Sequence, residues 1–202
     1  MNALQQSKRR PLLVALSTIL LGTGCAAQPE LEEIRTESYV DLERFMGDWY
    51  VIATIPTAIE KNIYNATETY RLDDDVTIAT TFSFRKGSFD GKQKTYNPRG
   101  FIRDTSSNAE WGMQFICPIK ADYRVVYVDE DYSQTIIGRN KRDYAWIMAR
   151  TPTISNEDLF ERIRLLREQG YDTEKLQLVP QRWDGIESSY SLNVERTGVG
   201  ET

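Results

Sequence analysis

The 202-residue sequence predicts an all-β fold, an eight-stranded antiparallel up-and-down β-barrel with one C-terminal α-helix packed outside it. Two observations lead to this class. Between residues 39 and 150, short runs rich in β-branched and aromatic residues recur at intervals of about 8 to 12 residues, separated by tight turn signals. A single stretch with helical spacing then follows. Eight consecutive antiparallel strands left as a flat sheet would expose two unpaired edges, and closure removes them.

The chain begins with a segment of different texture. Lys8, Arg9 and Arg10 precede an apolar run from Leu12 to Leu21, which ends in Gly22, Thr23, Gly24 and Cys25. A charged start, a short apolar stretch and small residues read as a secretory signal peptide over residues 1–24, because about 20 apolar residues are needed for a helix to span a bilayer. Its removal takes away three basic residues and no acidic one, so the net charge of −5 becomes −8. Residues 25–38 are polar, with Glu30, Glu32, Glu33 and Glu37, and read as a tether with too little apolar content to pack.

The predicted strands lie near 47–54, 65–72, 76–85, 92–103, 110–117, 122–128, 134–138 and 143–150. Short links such as Asp73-Asp74-Asp75, Asp90-Gly91 and Asp129 to Asp131 suit antiparallel neighbours. Only the link from Ile55 to Tyr64 is long, which makes it a candidate lid across one mouth. Trp111, Met113 and Phe115 share one strand face, Tyr123, Val125 and Tyr127 a second, and Tyr144, Trp146 and Met148 a third. A barrel of this size either encloses one small ligand against such a lining or is filled by its own side chains. Ser155 caps a helix in which Leu159, Phe160, Ile163 and Leu166 recur at helical spacing up to Gly170. Lys175 to Val179 could add a ninth strand. The domain thus spans 39–183, and 184–202 reads as a flexible tail.

Composition narrows the chemistry. With no histidine, the sequence lacks the usual general base, zinc ligand and haem ligand, so no catalytic or metal-ligating set and no cofactor is expected. The acidic balance argues against nucleic acid. Cys25 and Cys117 are the only cysteines, and Cys117 reads as a buried structural thiol, with no basic residue beside it to activate it.

Several motifs carry a family resemblance. Phe45-Met46-Gly47-Asp48-Trp49-Tyr50 resembles the first lipocalin motif, in which Gly47 and Trp49 open the first strand. Arg150 matches the arginine that packs across that tryptophan. Asp129 and Tyr132 are similar to the second motif, with Val128 in place of the usual threonine and two residues intervening. Arg142-Asp143-Tyr144-Ala145-Trp146-Ile147, running to Arg150-Thr151-Pro152, resembles the bacterial branch that is also similar to apolipoprotein D. The resemblance covers residues 39–183. It implies a lipid-binding calyx for fatty acids or lysophospholipids, an outer-membrane lipoprotein on the periplasmic face of a Gram-negative cell, and sometimes a homodimer. Cys25 is similar to the lipobox cysteine that is acylated, although Leu21 stands one step too far away; ordinary cleavage nearby, for instance after Ala27, is the alternative.

The expected calyx residues are Glu68, Tyr70, Trp111, Met113, Phe115, Tyr123, Tyr127, Tyr144 and Trp146. Glu68 is the exception among apolar neighbours, since it shares a strand face with Ala66, Tyr70 and Leu72. Either it faces inward and orients a polar headgroup, or it forms a structural ion pair with Arg85, Lys94 or Arg103, or a bulge turns it outward. At the level of function, a lipid carrier is favoured over two alternatives, a lipid-modifying enzyme on the same scaffold and an envelope interaction protein with a solid barrel.

Overall fold

The computed structural model describes residues 32–183 and 185–188. A one-turn helix, α1 (Leu42–Phe45), capped by the Asp41 side chain, precedes the barrel. The barrel strands are β1 (Gly47–Ile55), β2 (Ile63–Leu72), β3 (Thr77–Lys86), β4 (Gln93–Tyr96), β5 (Arg99–Ile102), β6 (Glu110–Ile116), β7 (Ile119–Val128), β8 (Gln134–Gly138) and β9 (Ala145–Ala149). β4 and β5 are the two halves of one predicted strand. Both pair with β3, and they separate at Asn97-Pro98, where proline has no N–H to offer the ladder. Every neighbouring pair is antiparallel, and β1 also pairs with β9 from Tyr50↔Ala149 to Ile55↔Ala145, which closes an eight-stranded barrel.

The strand directions define two ends. Gly47, Leu72, Thr77, Glu110, Val128 and Gln134 lie at one end, and Ile55, Ile63, Lys86, Ile116, Ile119 and Gly138 at the other. Side chains on the inner faces, among them Trp49, Val51, Tyr70, Trp111, Tyr123 and Met148, form one apolar cluster. A second cluster lies on the outer wall, where Ile52, Ala53, Val126, Ile136 and Ile147 meet Leu159, Ile163 and Leu166 of α2 (Asn156–Glu168). The Ser155 hydroxyl accepts from the Asp158 N–H at 3.0 Å, as the cap predicts, and Gly170 ends the turn after α2 at a φ of +85°. The expected ninth strand exists as β10 (Gln177–Leu178), paired with Ala53 and Thr54 of β1.

Two bulges explain departures from strict alternation. In β7 the register shifts between Val125 and Tyr127, so Val126 and Tyr127 both join the outer cluster while Val128 returns to the inner one. In β1 the shift falls between Val51 and Ala53 and sends Ile52 and Ala53 outward together.

Three expectations change. Residues 33–37 pack on the barrel: Ile34 is buried, its N–H donates to Asn140 Oδ1, and the Glu37 carboxylate accepts from the Val128 N–H. The buried Ile34 side chain, the Glu33–Arg124 ion pair at 2.8 Å and backbone bonds such as Glu37 N–H to the Val125 carbonyl dock this largely polar strand of chain. Cys117 is exposed, because it occupies the tip of the β6–β7 hairpin. A short hairpin, β11 (Arg182–Trp183) and β12 (Ile186–Glu187), runs across the expected boundary between domain and tail. The signal segment, Cys25 and residues 189–202 lie outside the described residues.

Candidate functional site

One end of the barrel is filled. The indole of Trp49 donates to the Phe45 carbonyl at 2.9 Å, and the Arg150 guanidinium lies 3.7 Å above the Trp49 ring. Arg150 also donates to the carbonyls of Arg44, Phe45, Met46, Asp48 and Tyr132, gathering α1, β1 and the β7–β8 turn. Gly47 has a φ of +96°, and a Cβ there would come within 3.3 Å of the guanidinium, so the glycine permits both the turn and the close approach. Asp129 accepts from the N–H groups of Ser133 and Gln134 and caps the β7–β8 turn, while the Tyr132 hydroxyl accepts from Asp41 N–H.

Above this plug, Phe45 meets Trp111 edge-on at 5.6 Å and Tyr70 at 5.6 Å. Tyr70 and Trp111 therefore close the floor and do not line the space above it, which revises the expectation that both touch a ligand. Their parity was read correctly, but inward-facing residues near the filled end meet other side chains.

The other half of the barrel is hollow, with a cavity of about 480 Å³, inside the range of small-molecule sites. Met113 and Phe115 of β6, Tyr123 of β7, and Tyr144 and Trp146 at the start of β9 line it, as does Glu68 of β2. Tyr127 does not, because the β7 bulge turns it outward beneath the Arg162 guanidinium, 4.2 Å away. Residues not foreseen complete the wall: Phe82 of β3, Tyr96 and Pro98 at the β4–β5 break, Arg139, and Thr57 to Glu60 of the long β1–β2 loop. That loop was legible as a lid, and Glu60 is its single acidic residue, but nothing in the sequence indicated that it would be buried.

Glu68 is buried at 6% exposure and faces the cavity without a cationic partner among the described residues. The anticipated ion pair is absent: Arg85 donates to the Gly91 carbonyl, Arg103 to the Lys120 carbonyl, and Lys94 is exposed. Its neighbours are the Tyr70 and Tyr123 hydroxyls, which hydrogen-bond to each other. Burial pushes the Glu68 carboxyl up to about 7; the Tyr70 hydroxyl counters this in part, and the charge of Glu60 adds to it. Burial also raises Glu60, whose two oxygens accept from the Trp146 indole and the Thr57 N–H, both at 2.7 Å. The first bond fastens the lid to β9, the second holds the loop's own turn, and the Lys86 ammonium of β3 donates to the Ile59 and Lys61 carbonyls. Tyr70 and Tyr123 are driven well above the usual phenol range by burial and by Glu68.

The site therefore has an oily wall, two desolvated carboxyls and a tied lid. No group of three or more metal-ligating side chains is found among the described residues. An adaptable aromatic and thioether wall around a few polar groups suits retention of an apolar molecule.

Comparison with known proteins agrees with this geometry. Residues 40–181 match the lipocalin-like domain family. The temperature-induced lipocalin-1 of Arabidopsis thaliana is 32% identical over 164 residues, covering 75% of this chain and 85% of that one. The outer membrane lipoprotein Blc of Citrobacter freundii is 29% identical over 171 residues, covering 85% and 96%, and that of Escherichia coli K12 is 27% identical over 181. Among solved structures, insecticyanin of the tobacco hornworm Manduca sexta superposes with a TM-score of 0.57 at 17% identity, covering 73% of this chain and 84% of that one.

Proposed function

The chain belongs to the lipocalin-like family, and from that premise we propose that it holds a single-chain lipid, a fatty acid or a lysophospholipid, in its calyx while anchored to the outer membrane through acylated Cys25. The hollow at the open end carries this reading: about 480 Å³ of mostly apolar space, roofed by a loop that hydrogen bonds from Trp146 and Lys86 hold to β9 and β3. The Blc relatives, named as outer membrane lipoproteins, support the location on the periplasmic face of a Gram-negative envelope.

In this reading Glu68 contacts the polar end of the lipid. A protonated carboxyl donates and accepts hydrogen bonds, whereas an ionised one repels a fatty carboxylate at short range. With its carboxyl at about 7, Glu68 favours fatty-acid binding at pH 6 and opposes it at pH 8. A lysophospholipid carrying an amine has no reason to follow the same trend.

The test joins two measurements. Native mass spectrometry of protein purified from its own membrane should find an acylated Cys25 and one bound acyl lipid, and a fluorescent fatty acid should bind tighter at pH 6 than at pH 8. Glu68→Gln should remove the pH dependence. Absence of any lipid complex overturns the carrier reading, and a Glu68→Gln variant that binds charged and neutral lipids as before removes the headgroup role.

A further inference from the structure

The two ends of the barrel differ in charge as well as in filling. At the closed end the strand-joining turns and their flanks carry Asp48, Asp73, Asp74, Asp75, Asp104, Glu110, Asp129, Glu130 and Asp131, against Arg71, Arg103 and Arg150. At the open end the corresponding loops and their flanks carry Lys61, Lys86, Lys92, Lys120, Arg139, Lys141 and Arg142. Their acidic members are the buried Glu60, Asp90, an Asp143 paired with Arg139 at 3.1 Å, and Asp122, which borders the cavity and pairs with Arg124 and Arg103. The turn after α2 adds Asp172, Glu174 and Lys175, of which Asp172 and Lys175 pair at 3.0 Å.

Apolar exposure follows the same polarity. Of the large hydrophobic side chains exposed among the described residues, Ile59, Phe115, Ile116 and Ile119 all belong to the lid and the β6–β7 hairpin at the open end, while Tyr39, Val76 and Phe160 stand on three separate elements. Phe115, Ile116 and Ile119 are 51%, 72% and 69% exposed. They flank a seam in the wall. β4 pairs with β3 alone, and β5 reaches only as far as Gln114 of β6, so Tyr96 and Asn97 on one side and Phe115 and Ile116 on the other border the cavity without a ladder between them.

The chain also leaves the domain at this end. The Glu33 carboxylate accepts from the Asn140 side chain and Ile34 N–H donates to Asn140, which lies in the β8–β9 loop beside the mouth. Six residues, 26–31, separate Cys25 from the first described residue, a reach of at most about 25 Å fully extended. An acyl group on Cys25 would therefore hold the basic, apolar end next to the bilayer and leave the acidic end facing away.

We infer that the open end docks on an anionic phospholipid surface, with the β6–β7 hairpin tip inserted among the headgroups, so that the seam and mouth open onto lipid. Ile116 and Ile119 supply the apolar insertion and the surrounding lysines and arginines supply the attraction to phosphate. A single-chain lipid then passes from bilayer to calyx without exposing its tail to water. The orientation rests on the acylated Cys25 of the reading above; the contact surface itself does not.

Cys117 places a reporter at the hairpin tip. The full chain purified with its acyl group, labelled at Cys117 with an environment-sensitive fluorophore, is added to vesicles of phosphatidylglycerol and phosphatidylethanolamine whose lipids carry bromine just below the headgroup. Quenching should be about threefold or more stronger at position 117 than for a probe placed by Asp74→Cys in a Cys117→Ser background, and salt should weaken the contact. The combined variant Ile119→Asp, Lys92→Glu and Lys141→Glu, all at exposed positions off the cavity wall, should lose the quenching while still binding the fluorescent fatty acid. Equal quenching at both ends, or quenching unchanged in the combined variant, overturns the docking. So does a Cys117 probe already shielded in vesicle-free solution in proportion to protein concentration, which would make a second copy the partner. A chain with unmodified Cys25 that still seats its hairpin in the bilayer upholds the docking and overturns the tether. An acylated chain with both probes in water does the reverse.

Discussion

The two halves of this barrel are made from the same strands and put them to opposite uses. In the closed half, buried polar groups are satisfied by geometry: one guanidinium meets five backbone carbonyls and a tryptophan face, and aromatic rings fill the remaining volume. In the open half, two carboxyls sit out of water with no cation beside them among the described residues, around space the side chains leave unfilled. The first arrangement lowers the energy of the folded chain and the second raises it. A calyx needs both, because a hollow lined by a costly acid survives only where the rest of the molecule is held firmly.

The largest effect should come from the closed half. Arg150→Ala removes a shared donor from five carbonyls, of which Phe45 keeps the Trp49 indole, and strips the cover from Trp49, and should lower stability by about 3 kcal/mol in urea unfolding. Fatty-acid affinity of the variant that remains folded should be unchanged. If affinity collapses while stability holds, the division between the halves is wrong.

The next effect has the opposite sign. A carboxyl raised from an ordinary 4.5 to about 7 binds a proton more tightly folded than unfolded, so stability present below pH 4.5 is lost as pH rises through 7. Glu68→Gln removes this penalty and should stabilise the protein at pH 8 by up to about 3 kcal/mol, with no difference at pH 4. Urea midpoints of the two proteins across that range check it, and parallel curves would mean that Glu68 is not desolvated.

A smaller change sharpens the account of the lid. Trp146→Phe keeps the apolar wall but deletes the indole donor to Glu60, and should cost about 1–2 kcal/mol and speed the release of bound lipid in stopped-flow displacement. Unaltered release would show that the lid is not gating. Smallest of all, Tyr127→Phe keeps the ring beneath Arg162 outside the barrel and should change stability and affinity by less than about 0.5 kcal/mol. A loss of affinity by titration would return Tyr127 to the calyx.

How far the sequence reached differs between the halves in the same way. Gly47, Trp49 and Asp129 act within a turn or at a strand end, and the family resemblance placed them together with Arg150, whose partners at Arg44 to Trp49 lie about a hundred residues away along the chain. Alternation placed Glu68, Met113 and Tyr123 inward, because two-residue periodicity holds wherever the ladder is regular. It failed at Tyr127, where one extra residue in the β7 register reverses the facing of the side chains beyond it, a shift that depends on β8. Glu60 and the packing of Ile34 escaped notice for a related reason: each depends on a partner far along the chain, Trp146 for the one and Asn140 with the outer wall of β7 for the other.

The sequence by itself determined the strand count, the helix and its cap, and the long loop at the mouth, because each follows from short-range periodicity, turn chemistry and capping; the motif residues of the base came from the family resemblance. Only the tertiary structure decided that the interior is solid below and hollow above, that Glu68 stands there without a cation, and that the basic, apolar loops share one end with the departing chain. Those outcomes depend on which side chains meet across strands distant in sequence and on how much volume they leave between them, quantities that no local pattern contains.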